Sequence, residues 1–386
     1  MAADFGAFRI VIVGAGFFGA TIAEQCARLG LKTLVLDRRQ HLAGNAYTEI
    51  DQETGIEIHK YGAHLFHTPN KIVWDYVNSF GEFSSYQHKV YSKHNGQIYP
   101  MPINLGTICQ FFGKEFSPAE ARNLVREQSS EISQSPQNLE EKAISLIGRP
   151  LFEAFIRGYT KKQWQTDLRE LPEGIINRLP VRYNFNNRYF DDPFEGLPKA
   201  GYTKIVEQML SDANICVSLG IDYFKVKDLL DPSALTIFTG PIDRFFEFRA
   251  GALSWRTLDF EKETVPVDDF QGTAVMNYAD ESVPFTRIIE FKHLHPERPS
   301  AEKKTVLMRE YSRFATAADE PYYPVDTKKD KEIYRAYKDM ADAETNVLFG
   351  GRLGTYRYLD MHQAIGAAMK MFASEIVPRV KLEGNI

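Results

Sequence analysis

Gly14-Ala15-Gly16-Phe17-Phe18-Gly19 carries the first chemistry legible in this 386-residue chain. Gly14 permits a tight turn, Gly16 lets backbone approach a pyrophosphate, and Gly19 lets a helix pack close to a strand. A helix that starts there offers N–H donors and the positive end of its dipole to an anion. Asp37 follows at about the twenty-residue distance of an acid that bonds a ribose 2′-hydroxyl. An acid at that place favours an unphosphorylated ribose, hence FAD or NAD rather than NADP. The glycine pattern alone is weak, and its rival reading is a turn with no ligand. The strand-like run before it, the helical segment after it and Asp37 make it specific.

The next segment separates FAD from NAD. Gln40 to Asn45 follow at once, with Gly44-Asn45 after an apolar pair. Many FAD enzymes place a second glycine-containing loop there, near the isoalloxazine. A terminal strand, the Gly350-Gly351 turn and a helix beginning near Asp360 suit the same cofactor. A helix N-terminus can stabilise the negative charge of reduced flavin at N1. FAD is the expected cofactor.

His64 and His67 lie in Tyr61-Gly-Ala-His-Leu-Phe-His67. Their spacing could hold a metal, but His293 and His295 lack any CxxC or HExxH context, so no metal is expected. Packing against a flavin ring is the functional reading, and a buried core histidine the plain one. No GxSxG elbow, Walker A motif or nucleophile-like cysteine is present, so a flavin is expected to carry any chemistry. Arg178 and Arg287 stand apart from basic clusters. A guanidinium can clamp a diphosphate with two bonds, although an isolated arginine is more often a surface or salt-bridge residue. Tyr322-Tyr323 between two prolines, Tyr356 and Tyr358 could donate hydroxyls to the same phosphates. Taken singly, each tyrosine is more often core.

The elements that must position these residues follow from periodicity. Ile10–Val13 is a continuous β-branched run, as a buried parallel strand requires. A helix is expected over 20–29, ended by Gly30, and a strand over 33–36. Helical spacing covers 118–128, capped by Ser117 with Pro118 in its first turn, and 138–164, broken at Gly148-Arg149-Pro150. In the second half of that segment Phe152, Phe155, Ile156 and Tyr159 share one helical face. Residues 171–187 predict a long mobile loop leading into a strand. Strands are expected over 235–239, 274–278, 286–291, 305–311 and 347–349, and a helix over 360–374 with Asp360 as N-cap.

Composition bounds the rest. The chain is 44% apolar and 25% charged, ordinary for a soluble globular protein of two or three domains. A net charge of −5 with no basic block excludes a general nucleic-acid or membrane-surface binder. No run of 18 apolar residues exists, so no spanning helix is expected. Ile10 to Ala23 could pass for a signal peptide, but its leader is not basic and glycines interrupt it. With Cys26, Cys109 and Cys216 far apart, a reducing cytoplasm and free thiols are expected.

These motifs converge on a family. The chain resembles the bacterial UDP-galactopyranose mutases over nearly its whole length. The matching pieces are the glycine motif, Tyr61 to His67, Gly158-Tyr-Thr-Lys-Lys-Gln-Trp164, Phe285-Thr-Arg-Ile288, Pro321-Tyr-Tyr-Pro324, and Gly350-Gly-Arg-Leu-Gly-Thr355 through Tyr358-Leu-Asp360. Phe285 stands where a tyrosine would also fit, a departure that leaves the arginine in place. The resemblance implies an α/β fold: a Rossmann-like FAD-binding domain with an inserted helical domain and an antiparallel β-sheet domain. The expected division is 1–80, 195–245 and 340–386 for FAD; 100–180 for the helical domain, with a mobile loop over 168–184; and 81–99, 181–194 and 246–339 for the sheet domain.

The implied activity is interconversion of UDP-galactopyranose and UDP-galactofuranose with reduced FAD and no net redox. Flavin N5 would attack the anomeric carbon and expel UDP, giving a flavin–sugar covalent intermediate whose ring opens and recloses. Arg178, Arg287 and His67 would be catalytic, the arginines taking the charge of departing UDP. Arg178 would arrive with its loop and exclude water. Around the flavin would lie Gly14, Gly16, Phe18, Gly19, Asp37, Arg38, Gly44, Asn45, His64, Gly351, Arg352, Tyr358, Leu359 and Asp360. The substrate would meet Phe155, Tyr159 stacked on uracil, Thr160, Trp164 beside galactose, and Asn277 and His88, with Tyr189, Tyr323 and Tyr358 bonding the diphosphate. The resemblance also implies a homodimer and a product used in cell-wall or surface glycans. Two rival readings are a flavin amine oxidase or desaturase and a non-catalytic UDP-sugar-binding module. The isolated arginines and the tyrosines fit a diphosphate better than an amine pocket, and both arginines with the histidine motif argue against loss of catalysis.

Overall fold

A computed structural model describes residues 5–176, 181–298 and 303–382. Short apolar runs from three separate parts of the chain build its central sheet. Five parallel strands lie in the order Val347–Phe349, Leu235–Phe238, Ile10–Val13, Thr33–Asp37 and Ile215–Leu219. Ile10 pairs with Leu235 on one side and Thr33 on the other. Being covered on both faces, the three inner strands are apolar almost throughout rather than alternating. The helix Phe17–Arg28 follows the first strand and packs against Met361–Met371. Gly19 makes that start possible, because a Cβ there would come within 2.0 Å of the Gly14 carbonyl oxygen.

A second sheet has seven strands in the order Tyr323–Pro324, Trp255–Val265, Thr305–Phe314, Arg287–Glu290, Val275–Tyr278, Val90–His94 and Gln97–Met101. All its pairs are antiparallel except Val275–Tyr278 with Val90–His94. Between the two sheets in sequence lie Leu105–Phe112, Pro118–Ser129, Leu139–Ile147 and the helical run from Arg149 to Trp164. Ser117 and Glu120 form a reciprocal cap for the second of these. Asn138 caps the third by accepting from the Glu141 N–H at 3.0 Å. Among the described residues no helix is long and apolar enough to cross a membrane.

Two expectations need correction. The helix after Gly148 is not uniformly α: Phe152–Arg157 is a π-helical stretch, and α geometry resumes at Gly158–Trp164. The i, i+3, i+4, i+7 face therefore does not continue unbroken to Tyr159, since a π turn inserts an extra residue and rotates the helix beyond it. Residues 171–187 reach their strand later than expected. Their described part holds a short turn, Glu173–Ile176, and the next strand is Phe194–Gly196. That part is anchored to the helical region: the Leu139 N–H donates to the Leu171 carbonyl, Arg182 to Ile103 and Leu105 to Asn184, at 2.9–3.0 Å. Leu171 and Ile176 are buried.

Candidate active site

The glycine turn opens on a solvent-open cleft, with about 1290 Å³ of space when the open solvent at its mouth is included. Gly14, Gly16, Phe18 and Gly19 line one side, Gly44, Asn45 and His64 another, and Gly351, Arg352 and Leu359 a third. Gly16 is the N-cap of the first helix, and no side chain caps that end, so its N–H donors face the cleft. The Gly44 loop comes so close that a Cβ on Gly44 would lie 3.3 Å from the Gly16 Cα. Backbone thus closes round the helix start from two sides, as a pyrophosphate cradle requires. Asp37 is fixed at the rim: its carboxylate accepts from the Ala15 N–H at 2.8 Å and the Arg39 N–H at 2.9 Å. Each oxygen keeps a lone pair for a ribose hydroxyl. Arg38 and Arg39 both pair with Glu320, and Arg39 also donates to Asn45 at 2.9 Å. The residues present fit an adenine dinucleotide.

Arg352 and the histidines form the inner end of this cleft. Arg352 donates to the Tyr322 carbonyl at 3.1 Å and the Leu359 carbonyl at 2.8 Å. Its guanidinium lies 5.1 Å from the Tyr358 ring. It therefore holds the strand bearing Tyr323 to the segment bearing Tyr358 and Asp360. At the start of Met361–Met371, the Asp360 N–H donates to the Gln363 side chain at 2.9 Å. Burial, together with the charge of Arg352, pushes the His64 pKa down to about 4 against a hydrogen bond to the Gly62 carbonyl, so the imidazole is neutral at pH 7. The His67 ring is held firmly. Its Nδ1 meets Asp192 at 2.5 Å, and Phe190 stacks on its face with centroids 3.6 Å apart.

Beyond His67 the second sheet presents a charged pair. Arg287 stands directly opposite Asn277 on one neighbour and Glu310 on the other, so the three side chains share a face. The Arg287 Nε lies 2.8 Å from Glu310, whose side chain is 3% exposed. Burial disfavours the guanidinium charge, but Glu310 and the nearby Tyr159, Tyr323 and Tyr189 outweigh it and raise the Arg287 pKa. Burial raises Glu310 while Arg287 pulls it down. His88 is buried beside them, and burial with the charges of Arg287 and His67 takes its pKa down to about 3. Its Nδ1 meets the Tyr86 hydroxyl at 3.1 Å. Tyr323 stacks on Tyr358 at 5.8 Å, and Tyr189 and Tyr358 are 42% and 49% exposed.

Of the residues expected at the flavin, Gly14, Gly16, Phe18, Gly19, Asp37, Arg38, Gly44, Asn45, His64, Gly351, Arg352 and Leu359 line this cleft, whereas Arg287 lies outside its lining with Tyr159, Tyr189, Tyr323 and His88 near it. Arg178 lies outside the described residues. Phe155 does not offer a free face: it is 4% exposed and packed among Tyr99, Phe111 and His94. Thr160 is buried, and Tyr159 and Trp164 are half-buried on the helix Gly158–Trp164. Glu310, Asp192 and Glu320 escape a reading of the sequence, since each sits in a charged stretch that resembles surface. The one signal for Glu310 is the strand-like run 305–311 around it.

Fold and site together define a Rossmann-like dinucleotide-binding enzyme with an arginine–glutamate pair set among tyrosines outside the dinucleotide cleft. A family described as UDP-galactopyranose mutase matches residues 154–358, and one described as an NAD(P)-binding Rossmann-like domain matches 12–80. A probable UDP-galactopyranose mutase of Klebsiella pneumoniae is 44% identical over 94% of this chain and 93% of its own. A dTDP-fucopyranose mutase of Escherichia coli is 41% identical over 94% and 97%. A solved structure of a reduced UDP-galactopyranose mutase superposes with a TM-score of 0.72 over 96% of this chain and 94% of its own, at 16% identity, which speaks for the fold alone. The chain belongs to the UDP-galactopyranose mutase family and is an isomerase of that family.

Proposed function

We propose that this chain interconverts UDP-galactopyranose and UDP-galactofuranose, with reduced FAD in the glycine-lined cleft. The observation that carries the reading is half-buried Arg287 paired with buried Glu310 among Tyr159, Tyr189 and Tyr323. It is a cation fixed in advance, where a diphosphate can displace little water. Reduced flavin, when bound, supplies a nucleophile for the anomeric carbon, which lets ring size change without net oxidation.

The chain's own residues bind, orient and neutralise. Arg287 takes the charge that grows on UDP as it leaves, and Glu310 spares it from reorganising. Arg178 is the second cation in this reading. Tyr189, Tyr323 and Tyr358 offer hydroxyls to the phosphates. Tyr159 stacks on uracil from a helix that Phe155 supports from the core, and Trp164 borders the galactose. Asn277 has a buried side-chain oxygen without a hydrogen-bond partner, an acceptor suited to a substrate hydroxyl or N–H. His64 and His88, held neutral, add no positive charge that would compete for UDP. His67, oriented by its Nδ1 contact with Asp192, packs towards the cofactor.

The test is chromatographic conversion of UDP-galactofuranose under anaerobic conditions, with and without dithionite. Conversion only in the reduced sample supports the reading; none in a folded, flavin-bound sample overturns it. The Escherichia coli relative, at 41% against 44% identity, favours a second reading, a dTDP-linked 6-deoxy sugar. Assays of both nucleotide sugars side by side decide by the ratio of kcat/KM. A cytoplasmic homodimer feeding surface glycans completes the proposal, and light scattering checks the dimer.

A further inference from the structure

We propose that Lys162 is a positioning residue, tying the helix that bears Tyr159, Thr160 and Trp164 to the turn that joins Asn277 to Arg287. The inference rests on the function proposed above, in which those two segments are facing walls of the substrate site. Lys162 lies within the Tyr-Thr-Lys-Lys-Gln-Trp motif but takes no part in the roles assigned so far. Its ammonium donates to the backbone carbonyls of Tyr278 at 2.6 Å, Asp280 at 2.9 Å and Phe285 at 3.0 Å. An ammonium has three N–H donors, and all three end on this one turn.

The surroundings show how closely the walls are fitted. A Cβ on Gly158, at the start of the same helix, would come within 2.2 Å of the Ala279 carbonyl oxygen. From the sheet side, Arg256 at 3.0 Å and Ser312 at 2.6 Å both donate to the Gln163 carbonyl. The helix is therefore gripped at two adjacent residues, once by its own lysine and once by the second sheet. Tyr278 closes the turn by donating its N–H to Thr286 at 2.9 Å, so a shift there is passed to Arg287 next in sequence. A neutral side chain of the same length would leave three carbonyls without this donor.

Lys162 also brings a readout. Burial lowers its pKa to about 8, against the pull of Asp280 and Glu281. Of the other charges on the packed elements, Lys161 pairs with Glu281 at 2.7 Å, Arg157 with Glu153, His94 with Asp280 and Arg309 with Glu263, and the Lys93 ammonium lies 5.9 Å from the Tyr278 ring. Loss of the Lys162 proton leaves two donors for three carbonyls. UDP affinity is then expected to weaken as pH rises through about 8, well below the range of an ordinary lysine.

The experiment is calorimetric titration of the oxidised holoenzyme with UDP from pH about 7 to about 9.5, for the wild type, Lys162→Met and Lys162→Arg. The expected result is a wild-type affinity that falls through pH about 8. K162M should bind about tenfold more weakly or worse at neutral pH, with flavin content retained. K162R, whose guanidinium keeps its charge, should keep most of the affinity and lose the alkaline fall. Wild-type protein that fails to bind UDP overturns the proposed function and this proposal with it. Wild-type protein that binds UDP while K162M binds equally well, with the alkaline fall intact, overturns the role of Lys162 alone. Should K162M not fold with flavin, the wild-type profile decides: a flat profile across the range overturns the proposal.

Discussion

Removal of Arg287 should cost the protein twice, by two mechanisms that can be separated. The first is catalytic. Loss of one pre-positioned donor to a developing negative charge costs ~3–4 kcal/mol, or roughly a hundred- to a thousandfold in kcat/KM. The second is structural. Arg287→Ala leaves Glu310, 3% exposed, as an unpaired buried carboxylate, and breaking such a pair costs ~3–5 kcal/mol. The Arg287 side chain is itself 27% exposed, so water can reach the gap and the lower end of that range applies.

The structural cost carries a pH signature. Burial already raises the Glu310 pKa, and Arg287 opposes that rise. Without Arg287 the folded pKa climbs further, while the unfolded value stays near ~4.3. Above that value the folded protein binds more protons than the unfolded one, so unfolding free energy falls as pH rises. Urea unfolding of R287A should therefore show a smaller deficit near pH 5 than near pH 8. The double variant Arg287→Met with Glu310→Leu removes both charges and should recover most of the stability, but none of the turnover. Near-normal turnover in R287A, or recovery of activity together with stability in the double variant, would refute the assignment of Arg287 to the leaving diphosphate.

Tyr159→Ala should weaken UDP binding by roughly 1–3 kcal/mol, the worth of a base–aromatic stack, whereas Tyr159→Phe should cost little; an unchanged UDP dissociation constant in the alanine variant would exclude the stack. Acid should destabilise the fold through its buried histidines. Burial holds His59 well below its ordinary pKa, His64 at about 4 and His88 at about 3. Below ~6.5 the unfolded chain binds protons that the native one refuses, so unfolding free energy drops as pH falls from there towards about 4. Denaturant titrations that stay level between pH about 7 and about 5 would contradict the burial of these rings.

The central sheet is legible in the sequence because its strands are buried on both faces and so are apolar without interruption. Ile10–Val13 and Leu235–Phe238 are of this kind. Much of the second sheet is not. Trp255–Val265 is its longest strand, at 11 residues, yet the half from Asp259 on is largely exposed and charged. Such a stretch resembles a solvated loop until Thr305–Phe314 pairs with it over ten positions. The helix Lys328–Asp342 is hidden for a similar reason, its polar face masking the apolar one, although the Thr327–Asp330 cap is there to be seen. The π stretch at Phe152–Arg157 escapes too, because one added residue per turn leaves no mark on a short apolar pattern.

The same division runs through the site. The glycine turn, Asp37 and the histidine motif are local in sequence, and a local rule finds them. The cation site is built across strands. Arg287 gains its meaning from Glu310, which lies more than twenty residues further along and meets it only through the register of two antiparallel strands. A one-residue slip of that register would turn Glu310 to the opposite face and leave Arg287 an ordinary basic residue. The long antiparallel pairing of Trp255–Val265 with Thr305–Phe314 holds the Glu310 strand in place. The strand that sequence patterning misses is therefore one on which the proposed chemistry depends.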